Sequence, residues 1–545
     1  MLRVPGLPAG RARILLLLLL PFVFTLVFFF SRYGTLDKLL PPRPGIGPAP
    51  SPKGKPSDWW IEFFSRFEKT RPKLPLPELK HNAYGHNWRA DFDLPREEML
   101  ELSDREFNEL RSLHDEFISQ LPTFARHLPY KPHTTGIVTS AGSKNFGQVI
   151  SVILTTRRTG SKLPIEVILD SSDDWIDNLC AGHLKQYDVT CVYLDKVWAG
   201  LDQVFNFSPK SKFEWFQWKF IAMIASSYQN VLYFDADVLP IFNPDPILAP
   251  GAEPYASTGL ITWPDFWVST SSPLFYKIAG DIDVPLLTTR ATSESGIMVF
   301  DKRRHADTIL LAAYYNYNGF SHYYPMLSQR GPGEGDKETF LHAAIVLEGL
   351  RKKGTYQEPT EWMVPGAGVK KGYYDVKKMP VSHGRTNRGQ WRGAVMQQMD
   401  PMEDYKAVMK AIQESKAKQH QTKKDSFVDR RRPFDTTPFH ADTSYLEKTG
   451  NLTLKWNDSH YMFFHSNGIK PDFAKILDSQ SALASTDEEE KFIRFWGDPG
   501  WIIERTGRDV EKLLWLDSQQ LYCIRTTLTN VCEKITQVVD QLFKD

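Results

Sequence analysis

Two carboxylates stand one residue apart at Asp235 and Asp237, directly after the apolar run 231–234. An apolar run bounded in this way predicts a buried strand. Because successive side chains alternate along an extended backbone, both carboxylates are expected on the same side of it. Carboxylate oxygens are hard ligands of the kind that Mg²⁺ and Mn²⁺ prefer. The pair therefore predicts a site that holds a divalent cation against a diphosphate.

Two other copies of the Asp-x-Asp pattern, at residues 91–93 and 281–283, have a surface turn as their ordinary interpretation. The copy at residues 235–237 differs because residues 214–227 before it carry apolar side chains at helical spacing. A helix followed by a buried strand delivers acids to the strand's carboxyl end, where open α/β sheets bind ligands. We therefore favour a metal-binding role over a structural turn.

A histidine far downstream, His465, follows two phenylalanines and precedes Gly468 and Lys470. A neutral imidazole could complete a metal site begun by two carboxylates, and Gly468 permits a tight turn that brings Lys470 toward the diphosphate. Metal and lysine would together stabilise the charge on a departing nucleotide. The alternative is a histidine that is simply packed in an aromatic strand.

The elements that must position these groups follow from the hydrophobic pattern. Strands are predicted at residues 136–140, 165–170 and 189–194, and helices at residues 142–158 and 173–183. Strands that alternate with helices predict a parallel sheet with a crevice for a nucleotide.

The turn between the first of these strands and the first helix, residues 139–147, is rich in small residues. Its Ser140 and Gly142 would let the backbone approach a ligand, and a helix amino terminus favours phosphate. The turn lacks the glycine order of a dinucleotide fold and the lysine of a P-loop, so an ordinary turn is the alternative.

Composition excludes one class of partner. The 66 basic and 65 acidic residues leave a formal charge of +1, which gives no reason to expect nucleic acid. The 15 Trp, 21 Tyr and 34 Phe suit either a carbohydrate-handling protein or simply a large core.

Residues 14–30 form an apolar run interrupted only by Pro21 and Thr25, and residues 1–13 contain arginines but no acid. This pattern predicts an uncleaved membrane anchor with residues 1–13 in the cytosol and the remaining body in the lumen. Its short length suits a thin early-secretory membrane. A cleaved signal peptide is the alternative, but no small-x-small site follows the run.

The remaining chain divides by composition. We expect a proline-rich stem at residues 31–57, a helical neck at 58–130 with its clearest helix at 96–121, and a catalytic domain at 131–475. Within that domain residues 380–450 suggest a loop-rich basic insertion, and residues 476–545 a helical carboxyl-terminal cap.

Four cysteines fall into two local pairs, Cys180 with Cys191 and Cys523 with Cys532. That pairing is the natural expectation in an oxidising compartment, although three connectivities are open.

Several motifs in a fixed order carry a family resemblance. They are Asp235-Ala-Asp237, Asn243-Pro244, Trp263-Pro-Asp265-Phe-Trp267, Glu294-Ser-Gly296, Tyr323-Tyr-Pro325, residues 333–340, and His465-x-x-Gly468-x-Lys470-Pro471. The chain resembles manganese-dependent glycosyltransferases of the GT-A fold. Over roughly residues 130–475 it is most similar to the fungal Golgi α-mannosyltransferases of the Mnn type, glycosyltransferase family 71, nearest their α-1,2 branch.

This resemblance implies a GT-A-like α/β fold with a mixed sheet flanked by helices, GDP-mannose as donor and Mn²⁺ as cofactor. It implies an acceptor in mannan or the outer chain of N-glycans, a type II position in the Golgi membrane, and room for assembly with other mannosyltransferases. By resemblance Asp235, Asp237 and His465 bind the metal, Lys470 contacts the diphosphate, and Lys219 is a donor-side lysine.

Three further carboxylates are candidates for the reaction itself. By resemblance, Glu294 contacts donor or acceptor. Asp265 could orient an acceptor hydroxyl while its neighbours Trp263 and Trp267 stack on sugar, and Asp336 could hydrogen-bond mannose hydroxyls. The alternatives are an aromatic core corner for Asp265 and a helix N-cap for Asp336. Transfer would retain configuration, by same-face attack or through a covalent intermediate.

The sequence is also compatible with three other functions. One is an α-1,3-mannosyltransferase, or a transferase with another donor, on the same fold. Another is a metal-dependent phosphohydrolase, which would usually gather more ligands for a two-metal centre. The third is a non-catalytic sugar-binding subunit of a glycosylation complex.

Overall fold

The structure of the protein, a computed structural model, describes residues 56–142, 145–357, 372–385, 391–424, 461–466, 470, 489, 491–496, 498–524 and 529–544. All of them belong to one compact unit, Ser51–Asp545. The predicted anchor at residues 14–30 lies outside the described residues, as does nearly all of the predicted stem. Within the described ranges no helix is both long and apolar enough to cross a membrane.

The strands, in chain order, are β1 Glu78–Leu79, β2 Leu100–Glu101, β3 Lys131–Ala141, β4 Ile165–Leu169, β5 Val189–Tyr193, β6 Tyr228–Phe234, β7 Val238–Pro240, β8 Leu260–Val268, β9 Ala291–Asp301, β10 Tyr374–Asp375, β11 Val381–Arg385, β12 Trp391–Met399 and β13 Tyr461–His465.

The α-helices are α1 Pro56–Lys69, α2 Asp104–Ala125, α3 Phe146–Arg158, α4 Asp174–Ala181, α5 Leu194–Val197, α6 Leu201–Phe205, α7 Trp218–Ala225, α8 Tyr255–Thr258, α9 Pro273–Ile278, α10 Lys302–Tyr317, α11 Tyr324–Ser328, α12 Lys337–Lys352, α13 Pro401–Lys424, α14 Gly500–Thr506, α15 Val510–Ile524 and α16 Thr529–Phe543.

The described part of the chain contains a seven-stranded sheet in the order β10-β8-β9-β6-β3-β4-β5. All its neighbours pair in parallel except β9, which is antiparallel to both β6 and β8. The three predicted strands, β3, β4 and β5, pair in parallel as expected. The antiparallel β9 makes the whole sheet mixed, which confirms the mixed sheet that the resemblance implies. The carboxyl ends of β3, β6 and β8 meet the amino end of β9 at one edge, and there the candidate acids collect.

Strand β6 shows why the sheet is buried on both faces. Val231 and Tyr233 belong to one core cluster, whereas Leu232 and Phe234 belong to another. Helices α7, α10 and α12 contribute to the first cluster, and α3 contributes to the second. Because alternate side chains point to opposite faces, a strand between two helical layers is a continuous apolar run.

A second sheet has four strands in the order β11-β12-β13-β7. Its strand β7 begins immediately after Asp237, and β13 pairs with it antiparallel so that His465 lies opposite Val238. This register brings a distant histidine beside the Asp-x-Asp turn. The carboxyl-terminal helices support the same sheet, because Arg508 on the turn before α15 donates to the carbonyl of Ile241 at 2.8 Å.

The amino-terminal region differs from the helical neck that the sequence predicts. Helix α2 begins after Ser103, which forms a capping box with Glu106, so the predicted start at residue 96 is wrong. Between α1 and α2 the chain is not helical. Residues 81–99 of this stretch, called the arm below, instead pack along the end of β8.

The segment 380–450 also differs from its prediction. Its described residues form β11, β12 and the long helix α13, so the expectation of loops is wrong for them. Both disulfides join the sequence-local partners: Cys180 with Cys191, between α4 and β5, and Cys523 with Cys532, between α15 and α16.

Candidate active site

The backbone fixes the Asp-x-Asp turn from two sides. The amide of Asp235 donates to the carbonyl of Gly296 on β9 at 2.8 Å, and the amide of Ser466 donates to the carbonyl of Asp237 at 2.8 Å. Both acids are therefore held by hydrogen bonds from separate sheets. The turn is part of the folded core and not a loose surface loop.

Asp235, Asp237 and His465 form a group that could hold a metal ion. One ligand atom from each lies within 4.8 Å of the others. Nε2 of His465 is 3.4 Å from Oδ1 of Asp237, and both side chains are buried. The predicted convergence of these three residues is confirmed. Gly296 makes room for the imidazole, because a methyl group there would lie 2.6 Å from its Cε1.

Lys219, near the start of α7, joins three segments of the site. Its Nζ lies 2.9 Å from Oδ2 of Asp235, 2.9 Å from Oδ2 of Asp336, and 2.8 Å from Oγ of Ser295. An ammonium group has three N–H donors, and these contacts match that number. Burial lowers the pKa of Lys219, but the two carboxylates outweigh it and raise the pKa above its usual value. Lys219 thus positions the acids, which differs from the donor contact that the resemblance implies.

Lys470 is placed differently. Its ammonium group forms an ion pair with Asp237, and its side chain is 51% exposed whereas that of Asp237 is 7% exposed. Lys470 therefore lies at the open side of the acid cluster. The described structure brings it to the metal-ligand group, and its predicted contact with a diphosphate stays a prediction.

Glu294 lies behind the imidazole. Its Oε1 accepts hydrogen bonds from the amides of Ser295 and Gly296 at 2.8 and 2.9 Å and lies 3.6 Å from Nδ1 of His465. Burial acts to raise the pKa of Glu294, but nearby charges on His465 and Lys219, with the amide of Gly296, lower it overall. At 3.6 Å the two groups interact through charge and not through a hydrogen bond, and Nδ1 of His465 has no hydrogen-bond partner among the described residues.

Asp265 forms a buried ion pair that the sequence did not predict, with Nζ of Lys337 at 2.6 Å. Burial raises the pKa of Asp265, with Lys337 opposing that shift. The expectation that Trp263 stacks on sugar is wrong, because its indole is fully buried and donates to the carbonyl of Met399 at 3.0 Å. Trp267 is partly exposed, so its indole could still stack on a sugar.

Asp336 precedes α12 but does not cap it. Its side chain makes no capping hydrogen bond, so the N-cap interpretation is wrong. The carboxylate instead faces Lys219, and burial raises its pKa although Lys219 opposes the shift. Because α12 does not use this carboxylate as a cap, Asp336 is available to bind a ligand.

Ser140 and Gly142 lie at the carboxyl end of β3 and just beyond it. The hydroxyl of Ser140 is 3.0 Å from that of Tyr233, which donates to Oδ1 of Asp235 at 2.9 Å. Ser140 is thus linked to the acid cluster through Tyr233, which the sequence reasoning missed. The nearest side chains to Gly142 are Asn145 and Asp170, so the structure places it at the same edge without joining it to the cluster.

The charge of the cluster fits a divalent cation. Among the described residues it contains five carboxyl groups, those of Asp235, Asp237, Asp265, Glu294 and Asp336, and the ammonium groups of Lys219, Lys337 and Lys470. The carboxyl groups of the cluster thus outnumber its lysines by two. Two carboxylates and an imidazole are also an accepted ligand set for Mn²⁺-type ions.

Comparison with known proteins finds a matching family. Residues 134–290 and 283–400 match the family described as "Mannosyltransferase putative". Together the two matches cover residues 134–400, just under half of the chain. That range runs from within β3 to the end of β12 and includes every candidate site residue except His465 and Lys470. The predicted class of protein, a glycosyltransferase, is confirmed.

Curated relatives support the same family over a longer stretch. Alpha-1,2-mannosyltransferase MNN21 of Candida albicans is 29% identical over 78% of this chain and 63% of its own length. Alpha-1,2-mannosyltransferase MNN2 of Saccharomyces cerevisiae is 31% identical over 68% of this chain and 62% of its own length. The resemblance to Mnn-type enzymes is thus confirmed, and the chain spans just under two thirds of the length of these two relatives.

Solved structures show more distant likeness. The glycosyltransferase GlyE of Streptococcus pneumoniae TIGR4 has 12% identity and a TM-score of 0.25, covering 42% of this chain and 45% of its own. The galactosyltransferase LgtC has 13% identity and a TM-score of 0.23, covering 34% of this chain and 66% of its own. These scores are too low to define the fold, which is given by the mixed sheet itself.

Proposed function

We propose that this protein is a retaining α-mannosyltransferase that uses GDP-mannose as donor and Mn²⁺ as metal ion. Its acceptor is mannan or the outer chain of an N-glycan, and the linkage it makes is α-1,2. The observation that carries the proposal is the convergence of Asp235, Asp237 and His465 within a chain whose family is mannosyltransferases. The names of the relatives support mannose as the sugar and α-1,2 as the linkage.

Asp235, Asp237 and His465 would hold the metal ion. When bound, a divalent cation supplies positive charge that stabilises a departing diphosphate. Lys470 adds a second positive charge at the open side of the cluster, where the diphosphate can reach it. Because the lysine and the metal ligands are in position before the reaction starts, they stabilise the developing charge without having to move.

The other residues of the site hold the ligands and the sugar. Lys219 ties Asp235 to Asp336, so the metal-binding acid and the sugar-facing acid keep a fixed spacing. Asp336 accepts hydrogen bonds from mannose hydroxyls, and Asp265 orients the attacking hydroxyl of the acceptor. Orientation of this kind lowers the barrier because the reacting atoms are held close together.

We also propose a location. The protein is a single-pass type II protein of the Golgi membrane, anchored by residues 14–30, with its catalytic domain in the lumen. The apolar run and its arginine-rich amino-terminal flank support this topology. The two disulfides suit an oxidising lumen.

The test uses the full-length protein with GDP-mannose and a defined α-mannobiose. We expect mannose transfer that stops with a chelator and returns with Mn²⁺. Asp235→Asn and Asp237→Asn should each lower the rate by at least about 100-fold, and titration followed by electron paramagnetic resonance should show weaker Mn²⁺ binding. Bond analysis of the product assigns the linkage.

Asp283→Asn is the matched control, since Asp283 belongs to a second Asp-x-Asp copy and its side chain is exposed. It should transfer mannose and bind Mn²⁺ like the unaltered protein. A normal rate in Asp235→Asn would defeat the proposal. Binding of mannosides without any transfer would instead favour the non-catalytic sugar-binding subunit.

A two-metal phosphohydrolase receives less support. Within the described residues, the group formed by Asp235, Asp237 and His465 is the one with metal-ligand geometry. Phosphohydrolases that use two ions place them about 4 Å apart with ligands for both.

A further inference from the structure

The arm, residues 81–99, extends the edge of the sheet directly beyond Asp265. The amide of Val268 donates to the carbonyl of His86, and the amide of Trp88 donates to that of Phe266, both at 2.8 Å. These bonds form an antiparallel bridge centred on Asn87 and Trp267. The arm therefore lies beside the end of the strand that carries Asp265, paired with it by one antiparallel bridge.

The other side of the arm contacts the segment that carries Asp336. The amide of Ala83 donates to the carbonyl of Gln329 at 2.9 Å. A methyl group on Gly85 would lie 2.4 Å from Cγ of Pro332 and 3.2 Å from the ring of Trp267. Pro332 belongs to the loop 331–336, which ends at Asp336. The arm is thus fixed against both segments that place the sugar-facing acids.

Between the arm and the end of β8 the structure leaves a cavity that opens to solvent. Its lining includes Tyr84, His86, Phe92, Arg96, Ser269 and Thr270. Tyr84 is 70% exposed at its rim, and the rings of His86 and Phe92 lie 5.7 Å apart on its wall. An open cavity suits a ligand that continues into solvent, such as a chain of sugars.

The chemistry of the lining suits a neutral sugar. A pyranose has an apolar face that packs on aromatic rings and hydroxyl groups that need donors and acceptors. Arg96 has neutral partners, with Nη1 at 2.7 Å from Oγ of Ser271 and Nη2 at 2.9 Å from the carbonyl of Pro285. Glu97 also lines the cavity, and its negative charge offsets the positive charge of Arg96, so the lining as a whole favours neither anion nor cation.

The end of β8 connects the cavity to Asp265, because Val268 lines the cavity. Val268 follows Asp265 by three residues of β8, a distance of about 10 Å along an extended chain. Suppose that Asp265 orients the acceptor hydroxyl that receives mannose. The sugar units next to that reacting unit of the acceptor then reach the cavity. This step rests on the proposed function.

We propose that the cavity between the arm and the end of β8 binds the mannose units of the acceptor that neighbour the reacting unit. Tyr84 at the rim supplies an aromatic surface for one such unit. The arm thereby sets which acceptors are long enough to bind well, while the acid cluster acts on the terminal unit alone.

The test compares Tyr84→Ala with the unaltered full-length protein on two acceptors, methyl α-mannoside and mannotetraose. Loss of one aromatic contact should raise KM for mannotetraose about five- to tenfold. KM for methyl α-mannoside, kcat, and GDP-mannose hydrolysis without acceptor should not change. Ile503→Ala, an exposed apolar residue on α14, is the control. Equal KM values for mannotetraose in Tyr84→Ala and the unaltered protein would overturn the proposal.

Failure of the proposed function has a different signature, since the unaltered protein would then neither transfer mannose nor hydrolyse GDP-mannose. In that case saturation-transfer NMR with mannotetraose decides the inference without turnover. Weaker binding by Tyr84→Ala than by Ile503→Ala supports the cavity as a sugar site. Equal binding by the two variants, or none by the unaltered protein, contradicts it.

Discussion

The imidazole of His465 lies against the α-carbon of Gly296, so close that a methyl group there would come within 2.6 Å of Cε1 and 2.9 Å of Nδ1. A Cβ atom essentially never lies this close to a non-bonded neighbour, so the ring would have to move. Gly296 is also the residue whose carbonyl holds the amide of Asp235. One small residue therefore sets the spacing between the acid pair and the imidazole.

We predict that Gly296→Ala weakens metal binding more than it weakens the fold. The added methyl displaces the ring of His465, and ligands displaced from their positions typically lower metal affinity by about 10- to 100-fold. Isothermal titration with Mn²⁺ measures the affinity, and circular dichroism follows the fold.

Gly500→Ala is the matched control for this change. Gly500 starts α14, where an added methyl would be 3.3 Å from a carboxylate oxygen of Asp498 and far from the site. Unchanged Mn²⁺ affinity in Gly296→Ala would show that His465 does not contribute a ligand.

Lys219→Met should destabilise the protein strongly. Removing one partner of a buried ion pair leaves an uncompensated charge, at a cost of about 3–5 kcal/mol. Here two carboxylates, on Asp235 and Asp336, lose the same partner. Urea unfolding in the presence of a chelator measures the free energy of unfolding without a contribution from metal.

The double variant Lys219→Met/Asp336→Asn tests whether the loss of stability comes from unpaired charge or from lost packing. Neutralising Asp336 removes one of the two unpaired carboxylates, so the double variant should be more stable than Lys219→Met alone. If the two changes simply add, the ion pair is not what connects α7 to the loop 331–336.

The two sheets differ in how far the sequence predicts them. Asp235 and Asp237 were predictable because the buried strand and the acids are adjacent in the chain. The motif order predicts only that His465 joins the acids. The register that places it opposite Val238 could not be predicted, since strand pairing over such a separation leaves no local pattern.

Other features of the site depend on tertiary contacts and left no signal in spacing. The ion pair of Lys337 with Asp265 joins α12 to β8, and the hydroxyl of Ser140 on β3 meets that of Tyr233 on β6. The arm has no helical or strand periodicity, because a single bridge to β8 and contacts with loop 331–336 hold it. Ser103 was the missed local signal, since its capping box with Glu106 marks the start of α2.

The disulfide between Cys180 and Cys191 should contribute measurably to stability. It closes a loop with a sequence separation of 11 residues and ties α4 to β5, the edge strand of the large sheet. Constraining the unfolded chain in this way is worth about 2–4 kcal/mol. We expect the double variant Cys180→Ala/Cys191→Ala to lose that amount in urea unfolding.

Cys523→Ala/Cys532→Ala is the comparison, since that disulfide joins two adjacent helices away from the acid cluster. Mannose transfer at low temperature should survive in both variants. If Cys180→Ala/Cys191→Ala had the same free energy of unfolding as the unaltered protein, the prediction would be wrong.

The pH dependence of stability should carry a contribution from Glu511. Burial raises the pKa of Glu511 from its usual 4.5 to about 7, although Arg494 and the amides of Trp496 and Phe495 oppose the shift. Between these two values the folded state binds more protons than the unfolded state. The free energy of unfolding therefore falls as pH rises from 4.5 to about 7. The stabilisation is fully present below 4.5 and absent above about 7, a difference of about 3 kcal/mol.

Glu511→Gln removes the titration while keeping a side-chain acceptor for one of the two amides. Relative to the unaltered protein, this variant should gain about 3 kcal/mol of unfolding free energy as pH rises from 4.5 to 8. Urea unfolding at a series of pH values measures both curves. Glu504→Gln, on the exposed side of α14, should leave the curve unchanged. Parallel curves for Glu511→Gln and the unaltered protein would show that Glu511 is ionised in the folded state, held so by Arg494 and the two amides.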